Sequence, residues 1–170
     1  MPYSRELFRP RSYQRPSRLA RKAGYKKFIK LWHRRAGKDR DSLAFCLEEM
    51  LKRVGVYFHI FPSLNQGRRD IWDNVIQERV NGIERSLRMI DMFPAELIES
   101  KDENEMQIVL KNKSVYQVMG ADDRKAVDRL RGPNPIGIMP SEYGHMREDA
   151  YLTLIPVLAE NNGWVMFGYT

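Results

Sequence analysis

Short apolar runs alternate along the chain with stretches in which apolar residues recur every three or four positions. The apolar runs at residues 27–32, 55–61, 136–139 and 164–167 predict buried strands. Apolar residues at helical spacing predict helices at residues 17–23, 39–53, 122–130 and 147–159. Because strands alternate with helices, the pattern favours an α/β domain with a largely parallel sheet.

The segment between the second and third of these strands has a mixed pattern. Ser63 is expected to cap a helix. The apolar residues assigned to that helix are Ile71, Trp72, Val75 and Ile76. Residues 83–99 give weaker helical signals, whereas residues 106–110 and 115–119 flank a Lys-Asn-Lys-Ser turn and predict a hairpin. Three prolines within residues 1–16 predict an extended arm ahead of the first helix.

Composition narrows the class of protein. The chain has 170 residues, of which 42% are hydrophobic and 30% are charged, which suits one soluble globular domain. No apolar run approaches the roughly 20 residues of a membrane span, so no membrane partner is expected. The single cysteine, Cys46, excludes an internal disulfide and a cysteine-built zinc site. Cys46 and His59, which lies inside an apolar strand, are both expected to fill the core.

The charge is unevenly distributed. The net charge is +7, yet residues 1–40 contain 14 basic and 2 acidic residues, so the remainder of the chain is acidic overall. This asymmetry predicts that an N-terminal basic surface meets a polyanion, either nucleic acid or the phosphates of a nucleotide. A solvated basic tail is the alternative.

The ends of the predicted strands are where chemistry is expected, because ligands of parallel α/β sheets bind beyond the carboxyl ends of the strands. The first strand is followed by Ala36-Gly37-Lys38 and then a helix. Small residues let backbone N–H groups close on phosphates, a lysine reaches the outer phosphate oxygens, and a helix N-terminus favours negative charge. This segment therefore predicts a phosphate loop, with a basic surface turn as the alternative.

The strand at residues 136–139 is followed by Ser141 and Glu142. In ATPases of this architecture, a carboxylate at a strand tip holds Mg²⁺ and an adjacent glutamate polarises the attacking water. Glu142 is a candidate for that base, and Ser141 stands where the metal-holding carboxylate is expected. The alternative is that both residues simply cap the next helix.

A family resemblance rests on six short motifs in a fixed order. They are Tyr13-Gln14, His33-Arg34-Arg35-Ala36-Gly37-Lys38-Asp39, Phe61-Pro62-Ser63 with Gln66, Leu130-Arg131-Gly132, Ser141-Glu142-Tyr143 and Gly168-Tyr169-Thr170. In order and spacing they resemble the ATPase domain of bacteriophage and prophage large terminase subunits, the motors that pump DNA into capsids. The resemblance covers almost the whole chain. It implies a three-layer P-loop NTPase fold of the RecA-like (ASCE) type, with a largely parallel central sheet flanked by helices.

The resemblance also implies roles for individual residues. Those on the nucleotide-binding side are Tyr13 and Gln14 at the adenine, Lys38 with the backbone of residues 35–38 (Arg35, Ala36, Gly37) at the phosphates, and Arg34 or Arg35 at the γ-phosphate. Those with other roles are Glu142 at the hydrolytic water, Arg131 as a finger acting on a neighbouring subunit, and Gly168 with Thr170 in a motif that couples hydrolysis to DNA movement. A solvated helix end is the alternative for Arg131.

Two residues depart from the usual metal site. Phosphate loops normally supply a Ser or Thr hydroxyl to Mg²⁺ and the distal strand an Asp, whereas here the order is Asp39 and Ser141. We hypothesise that the carboxylate and the hydroxyl have exchanged sides, since Mg²⁺ accepts hard oxygens from either direction. The alternative is that Asp39 is a helix N-cap.

The resemblance implies an ATP- and Mg²⁺-dependent motor in the cytoplasm of a bacterial host. Its expected partners are double-stranded DNA, a portal protein, a small terminase subunit and further copies in a ring. Residues 1–24 would form a basic arm and short helix at the adenine side, and residues 25–170 an ATPase core that is incomplete at its C-terminus. Only weak hydrolysis and no nuclease activity are expected. The alternatives are a truncated, non-catalytic prophage remnant that binds DNA through the arm, and a helicase-like ATPase.

Overall fold

The computed structural model describes residues 8–80, 83–122, 124–130 and 132–169. Its helices are α1 (Arg15–Lys22), α2 (Lys38–Lys52), α3 (Leu64–Gly67), α4 (Arg124–Arg129) and α5 (Glu148–Glu160). Its strands are β1 (Lys27–Leu31), β2 (Val56–Phe61), β3 (Val75–Val80), β4 (Ile83–Arg88), β5 (Ile98–Asp102), β6 (Gln107–Leu110), β7 (Val115–Gly120), β8 (Gly137–Pro140) and β9 (Trp164–Tyr169). No helix among these residues is long and apolar enough to cross a bilayer.

Seven strands form one sheet in the order β1-β9-β8-β2-β7-β6-β5. The five strands from β1 to β7 in that order pair in parallel, and β6 and β5 continue the sheet antiparallel. The strands β3 and β4 form a separate two-stranded antiparallel ribbon. The sheet therefore has a parallel part, whose strands all end at one edge, and an antiparallel part built from hairpins.

The central strand β2 shows how the sequence fills both faces of the sheet. Because side chains alternate along a strand, Tyr57 and Phe61 pack on the face that α2 covers, whereas Phe58 and Ile60 pack on the face that α4 and α5 cover. All four side chains are at most 2% exposed. A strand buried on both faces reads as an unbroken apolar run, which is the pattern of residues 55–61. The predicted α/β architecture, with helices on both faces of a mostly parallel sheet, is confirmed.

Most of the predicted elements occur within two or three residues of their expected bounds. The hairpin of β6 and β7 is antiparallel as expected, and Ser63 caps α3 by accepting a hydrogen bond from the backbone N–H of Gln66. Cys46 and His59 are both fully buried, as the sequence predicts.

The prediction was wrong for residues 73–99. The helix after Ser63 continues as a turn of π-helix and ends at Trp72, and Val75 and Ile76 belong to β3 rather than to that helix. The weak helical signals of residues 83–99 correspond to β4, two short 3₁₀-helices and the start of β5. Helical spacing misled the prediction because Trp72 is fully buried while Val75 is 59% exposed. The apolar residues of this segment thus do not share one helix face.

Candidate functional site

Two strand ends meet at the carboxyl edge of the parallel sheet. The strand β1 leads into the loop before α2, and β8 leads into Ser141 and Glu142. The strand β9 lies between β1 and β8 and pairs with both. This order brings two segments about a hundred residues apart in sequence to the same edge.

The loop after β1 turns sharply into α2. Gly37 is its N-cap residue and lies in the left-handed region with φ of 75°, where a side chain would be strained. The helix α2 begins at Lys38, so Asp39 lies inside the first turn and the N-cap alternative for it is wrong. Because the first backbone N–H groups of a helix lack partners within it, this turn can receive an anion.

The N-terminal segment contacts the loop that precedes α2. The hydroxyl of Tyr13 and the side-chain amide of Gln14 both donate hydrogen bonds to the carbonyl of Ala36, at 2.9 and 3.2 Å. The other end of the Gln14 amide accepts a hydrogen bond from the backbone of Arg11, and Gln14 is only 2% exposed. In this structure the two side chains thus hold the loop in place, and the adenine contact predicted for them stays a prediction.

A buried ion-pair network lies beneath the loop and consists of Arg18, Lys30 and Asp41. Asp41 on α2 is fully buried and pairs with Lys30 on β1 at 2.6 Å and with Arg18 on α1 at 2.5 Å. Burial lowers the pKa of Lys30 even though Asp41 acts in the opposite direction. The network ties α1, β1 and α2 together directly behind the candidate phosphate loop.

The side chain of Lys38 reaches across the strand ends to Glu142. Its Nζ atom donates to Oε1 of Glu142 at 2.8 Å, and Lys38 is 8% exposed. Gly168 on β9 leaves room for the side chain of Lys38, because a Cβ atom at residue 168 would lie 3.3 Å from Cδ of Lys38. Glu142 has φ of 55°, a left-handed conformation that costs a residue with a side chain about 1–3 kcal/mol. Backbone strain of this kind is concentrated at functional sites.

Asp39 and Ser141 also meet across the strand ends. The hydroxyl of Ser141 donates to Oδ1 of Asp39 at 2.8 Å and lies 2.9 Å from Nε2 of His59. Burial raises the pKa of Asp39, while the hydrogen bond from Ser141 and the charge of Lys38 act against that rise. Glu142 is the N-cap residue of a short 3₁₀-helix, Tyr143–His145, but its side chain makes no capping hydrogen bond there, and the longer helix α5 has Arg147 as its N-cap.

The loop after β1 and Glu142 line an open pocket of about 560 Å³, which lies within the usual range for small-molecule sites, and the buried Ser141 lies behind Asp39 rather than in the lining. The predicted residues along it are Arg34, Arg35, Ala36, Gly37, Lys38, Asp39 and Glu142. Sequence reasoning missed His33 as a lining residue, together with Arg40 in the first turn of α2 and Met89 just after β4. A signal existed for Arg40, which continues the basic motif, but none for Met89, whose position depends on the unexpected β3–β4 ribbon.

Two predicted residues lie outside the described part of the chain. They are Arg131, the candidate finger, and Thr170, in the candidate coupling motif. Gly168 is described, and it lies against Lys38 rather than lining the pocket.

Asp39 and Ser141 are the best candidates to hold a metal ion. They offer one carboxylate and one hydroxyl, both hard oxygen donors of the kind that Mg²⁺ prefers. Burial raises the pKa of Asp39, and a cation beside this carboxylate would favour its ionised form. Within the described ranges no group of three or more His, Cys, Asp or Glu side chains could hold a metal. One carboxylate and one hydroxyl fit Mg²⁺, which usually keeps several waters and binds through one or two carboxylates together with substrate phosphates.

No family model and no curated protein matches this sequence. Solved structures do match. The large terminase ATPase domain of Thermus phage P74-26 aligns with a TM-score of 0.66 and 19% identity over 98% of the chain, and a mutant of the same domain aligns with a TM-score of 0.69 and 17% identity. The large terminase of a thermophilic bacteriophage in complex with ATP-γ-S aligns with a TM-score of 0.61 and 15% identity over 94% of the chain.

At these identities the likeness establishes the fold, which is that of the phage large terminase ATPase domains. The chain spans 68% and 67% of the two isolated ATPase domains and 38% of the large terminase of the thermophilic bacteriophage.

Proposed function

We propose that this chain, which has the fold of phage large terminase ATPase domains, is the ATP-binding and ATP-hydrolysing domain of such a motor. The observation that carries the proposal is the meeting of the loop after β1 with the end of β8, where Lys38 pairs with Glu142 and Asp39 pairs with Ser141. If the loop before α2 were only a surface turn and Ser141 and Glu142 only a helix cap, these side chains would not need to form the two pairs.

The phosphates of ATP would bind at the N-terminus of α2. Lys38 would leave Glu142 for the phosphate oxygens, since a polyphosphate carries more negative charge than one carboxylate. Arg34, Arg35 and Arg40 line the same pocket and would balance the remaining charge. Tyr13, which is 41% exposed and meets Trp32 edge-on, would contact the adenine together with Gln14.

Asp39 and Ser141 would hold Mg²⁺ with their roles exchanged relative to the usual site. The distance of 2.8 Å between them supports the exchange, because it brings one carboxylate and one hydroxyl together as the usual arrangement does. When bound, the ion neutralises negative charge on the phosphates.

Glu142 would act on the water that attacks the γ-phosphate. Once Lys38 has moved to the phosphates, the carboxylate of Glu142 would accept a proton from that water as the bond from phosphorus to the bridging oxygen breaks. The ion pair thus links the two events, because nucleotide binding releases the base. Without a finger from a neighbouring subunit, such as the one predicted for Arg131, hydrolysis is expected to be slow.

The larger role follows from the resemblance. In this proposal ATP hydrolysis powers the translocation of double-stranded DNA into a procapsid in the cytoplasm of a bacterial host. The partners would be a portal protein, a small terminase subunit and further copies of the chain in a ring. The basic residues at the start of the chain would contact nucleotide or DNA.

Calorimetric titration with ATP-γ-S and Mg²⁺ tests the proposal. The chain is expected to bind the nucleotide at one site, and Lys38→Ala to lose at least tenfold in affinity, because a charge-assisted contact to phosphate is removed. Lys52→Ala is the matched control, since it removes the same charge from the other end of α2, where the side chain is 65% exposed. A folded chain that binds DNA in a salt-sensitive manner but binds no nucleotide would overturn the proposal and support the non-catalytic alternative.

A further inference from the structure

A line of buried hydrogen bonds runs through the sheet to the candidate nucleotide pocket. The hydroxyl of Tyr116 on β7 lies 2.9 Å from Nδ1 of His59 on β2, and Nε2 of His59 lies 2.9 Å from the hydroxyl of Ser141 at the end of β8. Ser141 then contacts Asp39 on α2 at 2.8 Å. Tyr116 and His59 are fully buried and Ser141 is 2% exposed, so these groups must satisfy one another without bulk water.

The donors and acceptors along this line can point in only one direction. The hydroxyl of Ser141 donates to Oδ1 of Asp39, so its single hydrogen is directed there. Ser141 must then accept a hydrogen bond from Nε2–H of His59. His59 is fully buried, and a neutral imidazole carries one N–H. Nδ1 of His59 is therefore an acceptor, and Tyr116 donates to it.

With the hydrogen bonds in this direction, the hydroxyl of Ser141 keeps one acceptor lone pair. A hydroxyl has one hydrogen and two acceptor lone pairs. The hydrogen goes to Asp39 and one lone pair goes to His59, which leaves one lone pair for a cation. If His59 could not donate, Ser141 would lose the contact that holds its oxygen from the side of β2, and only the hydrogen bond to Asp39 would orient it.

We propose that His59 is a positioning residue for the nucleotide site, which fixes the hydroxyl of Ser141 so that Ser141 and Asp39 together present their oxygens to the Mg²⁺ of a bound nucleotide. The inference rests on the proposed function. It assigns His59 a role beyond core filling, because an apolar side chain would fill the same space in β2 without directing Ser141. Groups that orient metal ligands in this way typically change metal affinity by roughly 10- to 100-fold when they are removed.

Two substitutions of His59 separate the donated hydrogen bond from packing. His59→Gln can offer an amide N–H near the position of Nε2, whereas His59→Leu cannot donate at all. Dissociation constants for ATP-γ-S would be measured with Mg²⁺ and with EDTA, after thermal unfolding has established that each variant is folded. The Mg²⁺-dependent gain in affinity is expected to fall about tenfold in His59→Leu and less than about threefold in His59→Gln, and the affinity in EDTA should be the same for all. Equal losses in the two variants, or a loss of the same size in EDTA, would overturn the proposal.

A second measurement needs neither a substitution nor a nucleotide. Nitrogen-15 NMR of the imidazole ring in the unmodified chain reports which nitrogen carries the hydrogen. The proposal requires Nε2–H, and finding Nδ1–H would overturn it whether or not His59→Leu folds. If the unmodified chain has Nε2–H but binds no ATP-γ-S, the proposed function fails while the direction of the hydrogen bonds stands, so the two failures are distinguishable.

Discussion

Two clusters of charged and polar side chains differ in how far water reaches them. The pocket cluster consists of Lys38, Asp39, Ser141 and Glu142, and the outer cluster, beside the antiparallel strands, consists of Arg88, Asp91, Lys101 and Glu103. Both contain positive and negative groups in contact. They differ in burial, because Lys38 is 8% exposed, whereas the side chains of Arg88 and Glu103 are 37% and 52% exposed.

The difference in burial changes what each cluster indicates. In the outer cluster, charges that separate are taken up by water, so each ion pair contributes at most about 1 kcal/mol and little can be inferred from it. In the network of Arg18, Lys30 and Asp41, where the side chains of Lys30 and Asp41 are 2% and 0% exposed, water cannot replace a lost partner. Lys38 in the pocket cluster is also largely buried, so it depends on its partners more than the groups of the outer cluster do. An arrangement of buried charge at a strand edge is costly for stability alone, which favours its interpretation as a binding site.

The largest expected effect is a loss of stability when the network of Arg18, Lys30 and Asp41 is broken. Asp41→Asn removes the fully buried carboxylate that pairs with Lys30 and Arg18. The free energy of unfolding is expected to fall by about 3–5 kcal/mol, because a buried ammonium group loses its counter-charge. Urea denaturation at pH 7 measures this loss. A loss below about 1 kcal/mol, as expected for exposed pairs, would contradict the distinction between the two regions.

As the pH falls, the contribution of His59 to stability should decrease at a higher pH than the contribution of the outer cluster. Burial lowers the pKa of His59 from 6.5 to about 3, so between these values the unfolded chain binds the extra proton. Stability contributed by neutral His59 is therefore fully present above pH 6.5 and decreases as the pH falls, by about 2 kcal/mol at pH 5. Urea denaturation across this range should give a flatter profile for His59→Gln than for the unmodified chain. Identical profiles would show that His59 is not buried in its neutral form.

Asp39→Asn is expected to change stability and binding in opposite directions. Because the pKa of Asp39 is raised, the folded chain favours its protonated form, and stability decreases as the pH rises above 3.8 through the raised pKa. The uncharged amide should therefore increase the free energy of unfolding at pH 7 by up to about 1 kcal/mol. It should also weaken Mg²⁺-dependent binding of ATP-γ-S at least tenfold. A variant that is less stable and binds as before would refute this account of Asp39.

The smallest effect is expected in the outer cluster. Glu103 accepts hydrogen bonds from Trp72 and Arg88, and the bond from Trp72 lowers its pKa from 4.5 to about 2. The stability it contributes is present above pH 4.5 and is lost as the pH falls toward 2. Since the group is exposed, Glu103→Gln should change the free energy of unfolding at pH 7 by less than about 1 kcal/mol. A loss comparable with that of Asp41→Asn would contradict the comparison.

The parallel part of the fold was predictable from sequence because strands buried on both faces have unbroken apolar runs, as residues 55–61 do. The β3–β4 ribbon was not predicted, since Ile71, Trp72, Val75 and Ile76 also fit helical spacing. The dipeptide Asn81-Gly82, which is typical of tight hairpin turns, was the signal that was overlooked.

The site was predictable to a similar extent. Lys38 and Glu142 are recognisable because loops after parallel strands carry ligands. The contact of His59 with Ser141 could not be predicted, because it depends on the register of β2 against β8, in which His59 pairs with Met139. Likewise, the hydrogen bonds that engage both ends of the Gln14 amide depend on how the arm packs against the loop.

The most direct test of the account applies one substitution, Glu to Gln, to both clusters and measures the affinity for ATP-γ-S in EDTA. If Lys38 is held by Glu142 until a polyphosphate takes it, Glu142→Gln should bind about three- to tenfold more tightly than the unmodified chain, because a competing carboxylate is removed. Glu103→Gln should bind as the unmodified chain does. An affinity that is unchanged or weaker in Glu142→Gln would contradict the central claim that the pocket cluster is a nucleotide site.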